Sequence, residues 1–224
     1  MAPARAAAIE GLKRVSTTDQ VQRALRAAII SNVLTPGEQL RETRLAATLS
    51  TSRGAIREAL RTLAQEGLVD YELHRGHSVA AFGPDDLVDV YLAREAIETA
   101  AAQLIQSRRP DLTPLEERLA AMEAVAARRG DDWQEMAEVD VAFHEELVAI
   151  AASPRLCRMY ATLAAETRIL LRGYPPYSSE RNVDDHRKIL IALREGRPDP
   201  VRLLREHLRF SSRLAVEWKR GQDA

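Results

Sequence analysis

The spacing of apolar residues divides the chain into two regions with different predicted structure. Up to about residue 83, helical periods are followed by two short segments whose composition is typical of strands. From residue 84 onward the pattern is helical almost throughout, with breaks at glycines and prolines. The pattern predicts a mainly α protein, in which a small unit with one hairpin precedes a larger all-helical unit.

Residues 45–63 predict a short helix, a tight turn and a second helix with two chemically opposite faces. Apolar residues one and two turns apart must face a core: Ile56, Leu60 and Leu63. Arginines repeat on the opposite face: Arg53, Arg57 and Arg61. A row of guanidinium groups on an exposed helix suits the major groove of DNA, although a solvated helix face has the same spacing.

The residues around this helix favour the DNA-binding interpretation. Upstream, apolar positions in 18–31 predict a supporting helix with Thr17 or Thr18 as N-cap. Downstream, residues 68–72 and 78–81 predict two strands joined by a basic turn with Gly76 at its tip. A helix-turn-helix followed by such a hairpin is a winged helix-turn-helix. The wing would place Arg75, Gly76 and His77 against DNA.

Several short motifs in this region resemble the N-terminal domain of GntR-family bacterial transcription regulators. They are the Pro36-Gly37 turn, the Ser52-Arg53 start of the second helix, Arg-Glu-Ala-Leu at 57–60 and Glu-Gly-Leu-Val at 66–69. The match covers residues 15–82 and implies a winged helix-turn-helix domain. It also implies that Ser52, Arg53 and Arg57 are the main DNA-contacting side chains, with Gly76 in the wing.

Composition agrees with a two-domain regulator of cytoplasmic location. Residues 1–83 hold 11 Lys and Arg against 8 Asp and Glu, whereas the rest holds 21 against 25, so the basic excess lies in the first region. The single cysteine, Cys157, excludes an intrachain disulfide and fits a reducing compartment. No apolar run predicts a membrane span, and residues 1–14 are expected to form a loose tail.

The second region predicts an antiparallel bundle that occupies residues 84–220. Short breaks separate six helical segments: 85–107, 113–129, 131–152, 154–172, 179–195 and 198–219. Within this bundle, four polar residues share faces with apolar ones: Asp140, His144, His186 and His207. Their burial without partners would cost several kcal/mol, and one divalent metal ion would satisfy them together. The alternative is that each histidine is a core residue with a backbone partner.

These residues also carry a second resemblance, to the FCD domain of the FadR-like branch of GntR regulators. The matching pieces are Asp-Val-Ala-Phe-His at 140–144, Asp-His-Arg-Lys-Ile-Leu at 185–190 and Glu-His-Leu at 206–208. The resemblance implies that Asp140, His144, His186 and His207 bind a divalent metal at the floor of a ligand cavity. Zinc is the preferred ion, with nickel, iron and manganese as alternatives. Six helices place the chain nearer the shorter, VanR-like division.

Arg94 lies on the inward face of the first bundle helix, and a buried arginine needs an anion. Glu98, one turn further on, would make a structural ion pair. The FCD resemblance implies a second role, in which Arg94 contacts the carboxylate of a small organic acid effector. Both interpretations stay open from the sequence.

The sequence therefore predicts a cytoplasmic transcription regulator, with repression as its expected action. We expect a homodimer that binds a palindromic operator in double-stranded DNA, without membrane association. A small carboxylic acid in the metal-containing cavity would change operator affinity by linkage. Two alternatives use the same cluster, namely a metal-dependent enzyme and a regulator for which the metal itself is the signal.

Overall fold

The computed structural model describes residues 16–128, 133–171, 178–197 and 199–222. It divides into two compact units, the first with three helices and a hairpin, and the second with the remaining helices. The expected tail at residues 1–14 lies outside the described residues. The boundaries proposed for the two domains, residues 15–82 and 84–220, stay predictions.

The first unit contains the elements of a winged helix-turn-helix. They are α1 (Thr17–Ile30), α2 (Glu42–Thr48), α3 (Arg53–Gln65), β1 (Val69–Glu72) and β2 (Gly76–Val79). Helix α1 begins one residue earlier than predicted. Its N-cap is Ser16, whose hydroxyl accepts from the Asp19 N–H while the Asp19 carboxylate accepts from the Ser16 N–H. This reciprocal pair, a capping box, satisfies two backbone donors at the start of the helix.

The core of this unit is built by one face of α1 and one face of α3. Ile29, Ile56, Leu60 and Leu63 have no exposed surface. Since the apolar face of α3 is fully occupied by this core, its arginine face must point outward. The predicted two-faced character of α3 is therefore realised in the fold.

The turn between α2 and α3 is held by the two hydrogen bonds of a Schellman motif. The Thr51 N–H donates to the Ala46 carbonyl at 3.0 Å, and the Ser50 N–H donates to the Ala47 carbonyl at 3.4 Å. This motif needs a left-handed residue after the C-cap, and Ser50 supplies it with φ of 49°. Most proteins place glycine at such a position, because a Cβ makes this conformation less favourable.

The turn that joins the two strands is shorter than the sequence indicated. Strand β2 begins at Gly76, which pairs with Glu72, so the tip consists of Leu73, His74 and Arg75. The prediction that Gly76 forms the tip was wrong. The chain reverses through left-handed conformations at both His74, with φ of 70°, and Gly76, with φ of 83°.

The second unit is an all-helical bundle, as predicted. Its described residues form α4 (Pro84–Arg108), α5 (Thr113–Ala126), α6 (Trp133–Ile150), α7 (Pro154–Leu170), α8 (Ser179–Glu195) and α9 (Pro200–Gln222). Four of these helices have proline in the first turn, where the missing N–H has no helical partner to lose. Within the described ranges, none of the helices combines the length and apolarity that a membrane crossing needs.

The bundle core is continuous and includes residues from all six of these helices. Its fully buried side chains include Leu115, Phe143, Leu147 and Leu204. The predicted polar residues lie within this apolar interior. His144 and His186 have no exposed surface, and His207 is 7% exposed. The bundle therefore positions a polar cluster where water has little access.

Candidate nucleic-acid interface and metal centre

The exposed face of α3 presents the predicted arginine row. The side chains of Arg53, Arg57 and Arg61 are 62%, 46% and 63% exposed. Arg61 forms an ion pair with Glu58 one turn away, at 2.9 Å. All three guanidinium groups are thus available to a partner on this face, and the first two converge on one further residue.

Glu42, at the start of α2, interacts with the first two arginines of this row, Arg53 and Arg57. Its carboxylate accepts two hydrogen bonds from Arg57, at 2.9 and 2.8 Å, and lies 3.8 Å from Arg53. The hydrogen bond from Arg57 holds the pKa of Glu42 below its ordinary value. The sequence interpretation missed Glu42, because its partners lie in the next helix and no local spacing marks the contact. A bidentate carboxylate fixes the direction of a guanidinium group.

The other predicted DNA contacts have distinct environments. The Ser52 hydroxyl accepts a hydrogen bond from the Ala55 N–H at 3.2 Å, so it caps the start of α3. Arg75 is 75% exposed beside Glu72 at the hairpin tip. His77 is only 9% exposed, and its ring lies 4.9 Å from that of Tyr71.

Burial lowers the pKa of His77, and Arg61 and Arg57 add to this effect while Glu42 opposes it. Its role as a DNA contact stays a prediction, as do those of Ser52, Arg53, Arg57, Arg75 and Gly76. The small exposed area of His77 makes it the weakest member of that set.

In the bundle, the four residues predicted to bind a metal come together. Each of Asp140, His144, His186 and His207 offers a ligand atom, and these atoms all lie within 4.8 Å of one another. The Nε2 atoms of His144 and His186 are 3.2 Å apart, and His186 Nε2 is 3.4 Å from Asp140 Oδ1. Helices α6, α8 and α9 therefore bring distant parts of the sequence to one point.

Hydrogen bonds fix the orientation of two of the rings. His186 Nδ1 lies 2.8 Å from the Asn182 carbonyl oxygen, which can only accept, so Nδ1 carries the proton. His144 Nδ1 lies 2.6 Å from Glu98 Oε2 and likewise donates. Each ring then directs Nε2 at the other ring. Two bare ring nitrogens cannot hydrogen-bond to each other, so this close approach suits two ligands of one metal cation.

Burial also sets the charge state of the histidines. It lowers the pKa of His186 to about 4, an effect to which His144 adds and which Asp140 opposes. Burial lowers the pKa of His207 well below its ordinary value, and His186 and His144 add to the effect. Neutral imidazole is the form that binds a metal ion, so both rings are suited to that role near neutral pH.

The residues present fit a divalent metal. Ligands of a tetrahedral zinc ion, at about 2.0–2.1 Å from it, lie roughly 3.3 Å from one another, close to two of the separations found here. His207 Nδ1 is buried without a hydrogen-bond partner among the described residues. The alternative of a core histidine with a backbone partner at this nitrogen is therefore not what His207 shows.

Arg94 and Glu98 form the predicted ion pair. Arg94 Nε lies 2.9 Å from Glu98 Oε1, and both side chains are at least 99% buried. Arg94 Nη2 is nevertheless buried without a hydrogen-bond partner among the described residues. The pair is therefore structural, and Nη2 is an unsatisfied buried donor of the same guanidinium group.

Two residues of this network were missed from the sequence. The Tyr160 hydroxyl donates to Glu98 Oε1 at 2.8 Å, and Asn182 Nδ2 donates to Asp140 Oδ1 at 3.2 Å. Asn182 precedes His186 by one turn, a spacing that could have pointed to a shared site. Tyr160 follows no such spacing, since it reaches Glu98 from another helix.

A groove between α8 and α9 includes one residue of the cluster. It has a volume of about 350 Å³, and His207 lies in its wall. Three cationic side chains line it, namely Arg181, Lys188 and Arg213, together with Asp185 and Glu206. His207 thus connects the buried ligands with a surface that carries more positive than negative groups.

A winged helix-turn-helix followed by a helical domain with a buried metal-type cluster defines a class of DNA-binding regulators. The family of bacterial regulatory proteins named gntR matches residues 17–79, and the FCD domain matches residues 89–210. The chain belongs to the GntR family and carries an FCD domain. The expected FadR-like relationship, including the VanR-like division, is consistent with these matches.

Individual relatives agree with this assignment. The chain is 31% identical over 193 residues to the probable D-xylose utilization operon transcriptional repressor of Paenarthrobacter nicotinovorans, covering 84% of this chain and 83% of that protein. It is 34% identical to the gluconate operon transcriptional repressor of Bacillus licheniformis, over 61% of this chain and 56% of that protein.

A solved GntR transcriptional regulator from Rhodococcus sp. RHA1 has the same fold, with a TM-score of 0.76 and 26% identity. The similarity covers 89% of this chain and 97% of that one. Because the matched families and relatives are transcriptional regulators, the chain is a regulator rather than a metal-dependent enzyme.

Proposed function

We propose that this regulator binds a palindromic operator as a homodimer and acts as a repressor. In each subunit α3 would enter the major groove, with Arg53 and Arg57 as principal contacts, while the hairpin tip would approach the neighbouring backbone. The observation that carries the proposal is the exposed arginine row opposite a fully buried apolar face. Glu42 supports it, because a guanidinium group held in one direction loses less entropy on binding.

This part of the proposal is tested with duplexes enriched from a random pool by the protein. We expect Arg57→Ala to abolish binding to these duplexes in a gel-shift assay while its circular dichroism is unchanged. Arg128→Ala is the matched control, because it removes one exposed, ion-paired arginine from the bundle. Wild-type affinity of Arg57→Ala would exclude α3 from the interface.

We propose further that Asp140, His144, His186 and His207 hold a divalent metal, with zinc favoured by three imidazoles and one carboxylate. A bound ion supplies a Lewis-acid position that a carboxylate can coordinate. The chain's own residues set the conditions for this. The bundle excludes water, Asn182 and Glu98 orient two of the rings, and the lowered pKa of His186 keeps its nitrogen free of protons.

The effector we propose is a small carboxylic acid. Arg94 supports this, because its buried Nη2 has no partner in the described structure and a carboxylate would supply one. The cationic groove beside His207 supports an anionic ligand as well. One relative is the repressor of a gluconate operon, and gluconate is itself a carboxylic acid.

Regulation would follow from linkage between the two kinds of binding. Suppose that the acid favours the arrangement of the dimer that cannot bind DNA. The acid then lowers the affinity for the operator by the same factor by which the operator lowers the affinity for the acid. The coupling is measured by titrating the operator complex with the acid. A coupling factor of one for every acid that binds would contradict this mechanism.

The metal and the effector are tested together. We expect purified protein to contain about one zinc or related ion per chain by elemental analysis, and His144→Ala to contain none. His74→Asn is the matched control, since His74 is an exposed histidine of the hairpin tip. A thermal-shift screen of carboxylic acids should give stabilisation that a chelator removes.

The metal-sensing alternative predicts a different result from the same materials. In that case, removal and return of the metal would switch operator binding with no acid present. The ion pair between Arg94 and Glu98 favours this alternative, because it leaves only part of the guanidinium group for an effector. If operator binding depends on the metal when no acid is present, the metal ion is the signal and the acid is not.

A further inference from the structure

Glu98 lies beside the metal cluster but is not one of its ligands. Its carboxylate has no exposed surface, and both oxygens are engaged. Oε2 accepts from His144 Nδ1 at 2.6 Å. Oε1 accepts from Arg94 Nε at 2.9 Å and from the Tyr160 hydroxyl at 2.8 Å. A carboxylate buried this deeply must have a structural or a functional reason to stay charged.

The neighbours of Glu98 make it an acceptor at both oxygens. Arg94, whose guanidinium group is always charged, and the Tyr160 hydroxyl both donate to Oε1, so the carboxylate is paired with a buried cation. An ionised carboxylate can only accept hydrogen bonds. His144 must therefore keep its proton on Nδ1, and its Nε2 is directed at His186 and Asp140.

We propose that Glu98 is a positioning residue for the metal centre, because it fixes the tautomer and the ring direction of His144. This inference rests on the proposed metal site. Carboxylate–histidine–metal arrangements are a general means of orienting a ligand, and loss of the carboxylate typically costs 10–100-fold in metal affinity. Arg94 and Tyr160 then act one step further out, since they hold Glu98.

The other ligands are held differently, and the contrast supports a specific role for Glu98. The Asn182 carbonyl fixes His186, and the Asn182 side chain donates to Asp140. His207 Nδ1 has no partner among the described residues. Glu98 is the group that fixes His144, so its loss should be felt at that ring before any other.

A glutamine at this position would reverse the hydrogen bonding at His144. Arg94 and Tyr160 both donate to Oε1, so they select the amide oxygen of Glu98→Gln at that place. The amide NH₂ must then face His144 Nδ1, which becomes an acceptor. The proton moves to Nε2, the atom that would bind the metal, and a protonated nitrogen cannot coordinate.

The experiment compares the full chain with Glu98→Gln and Tyr160→Phe. Tyr160→Phe is the matched control, because it removes one donor to Glu98 and leaves the contact with His144. Nitrogen-15 spectra of the metal-free proteins report which nitrogen of His144 is protonated. Chelator competition reports zinc affinity. For Glu98→Gln we expect the Nε2–H tautomer and a 10–100-fold loss of zinc affinity, and for Tyr160→Phe the wild-type tautomer with a much smaller loss.

Unchanged tautomer and zinc affinity in Glu98→Gln would overturn the inference. If Glu98→Gln does not fold, Glu98→Asp keeps the charge for Arg94 but shortens the reach to His144, and undiminished zinc affinity in that variant would also overturn it. If the wild-type protein binds no metal, the proposed metal site fails, while the tautomer measured in the metal-free variants still decides the role of Glu98.

Discussion

The buried histidines should make the metal-free bundle lose stability in mild acid. His186 has a pKa of about 4 in the folded protein, against an ordinary value of 6.5. As the pH falls below about 6.5, the unfolded chain binds a proton at this position and the folded chain does not. The contribution of His186 to the free energy of unfolding is therefore fully present above this pH and decreases as the pH falls towards 4.

The size of the effect follows from these two values. Between about pH 8 and about pH 5, His186 alone lowers the free energy of unfolding by about 2 kcal/mol. His207, whose pKa is also lowered by burial, acts in the same direction. Glu98 does not contribute to the change between these two pH values. Its pKa is 4.5 in the unfolded chain and about 2 in the folded protein, so its stabilising contribution is lost only as the pH falls below 4.5.

The assay is urea unfolding of chelator-treated protein, followed by tryptophan fluorescence. The chain has two tryptophans, Trp133 and Trp218, which lie on α6 and α9, so the signal reports on the bundle. We expect His186→Gln to reduce the difference between the two pH values by about 2 kcal/mol. Its amide can still donate to the Asn182 carbonyl.

The control is His74→Asn, which removes an exposed histidine and keeps a residue that tolerates a left-handed backbone. It should leave the pH difference unchanged. A wild-type bundle as stable at about pH 5 as at about pH 8 would refute the reasoning, because it would mean that His186 is charged when folded.

Three further predictions concern other parts of the molecule. If Arg75 contacts a phosphate, Arg75→Ala should weaken binding to all duplexes alike and reduce the slope of affinity against salt by about 1, and a change confined to one sequence would contradict this. Leu60→Ala, at a fully buried position, should cost about 3 kcal/mol of stability in thermal unfolding, whereas Leu73→Ala at the exposed tip should cost little. Zinc affinity should be higher in His207→Ala than in His144→Ala, because Glu98 holds the His144 ring while His207 Nδ1 has no hydrogen-bond partner among the described residues; chelator competition showing the reverse order would argue against this.

Much of the fold could be predicted because it depends on repeating patterns. The two-faced character of α3 follows from the spacing of Ile56, Leu60 and the arginines, which a helix converts directly into two faces. The breaks of the bundle follow from proline and glycine, whose backbone limits are local. The hairpin tip could not be predicted in the same way, because the turn uses a left-handed conformation at His74 as well as at Gly76, and most residues other than glycine seldom adopt it.

The candidate metal cluster could be predicted only as a set of residues. Asp140 and His144 share a helix, so their spacing is visible, whereas His186 and His207 meet them through helix packing. Glu42, Tyr160 and Glu98 illustrate what sequence alone does not supply. Glu42 and Tyr160 act across helices, and Glu98 was seen only as the partner of Arg94, because its contact with His144 spans 46 positions.

Ser50 gives the turn of the helix-turn-helix an uncommon residue in the left-handed conformation. Holding a residue with a Cβ in the left-handed conformation costs about 1 kcal/mol that glycine would save. Glycine would also widen the choice of backbone angles, and α3 would sample more directions relative to α2. Ser50 therefore lowers the thermal stability but restricts the orientation of α3 relative to α2. Replacing this serine with glycine would give a more stable protein that recognises its operator sequence less specifically.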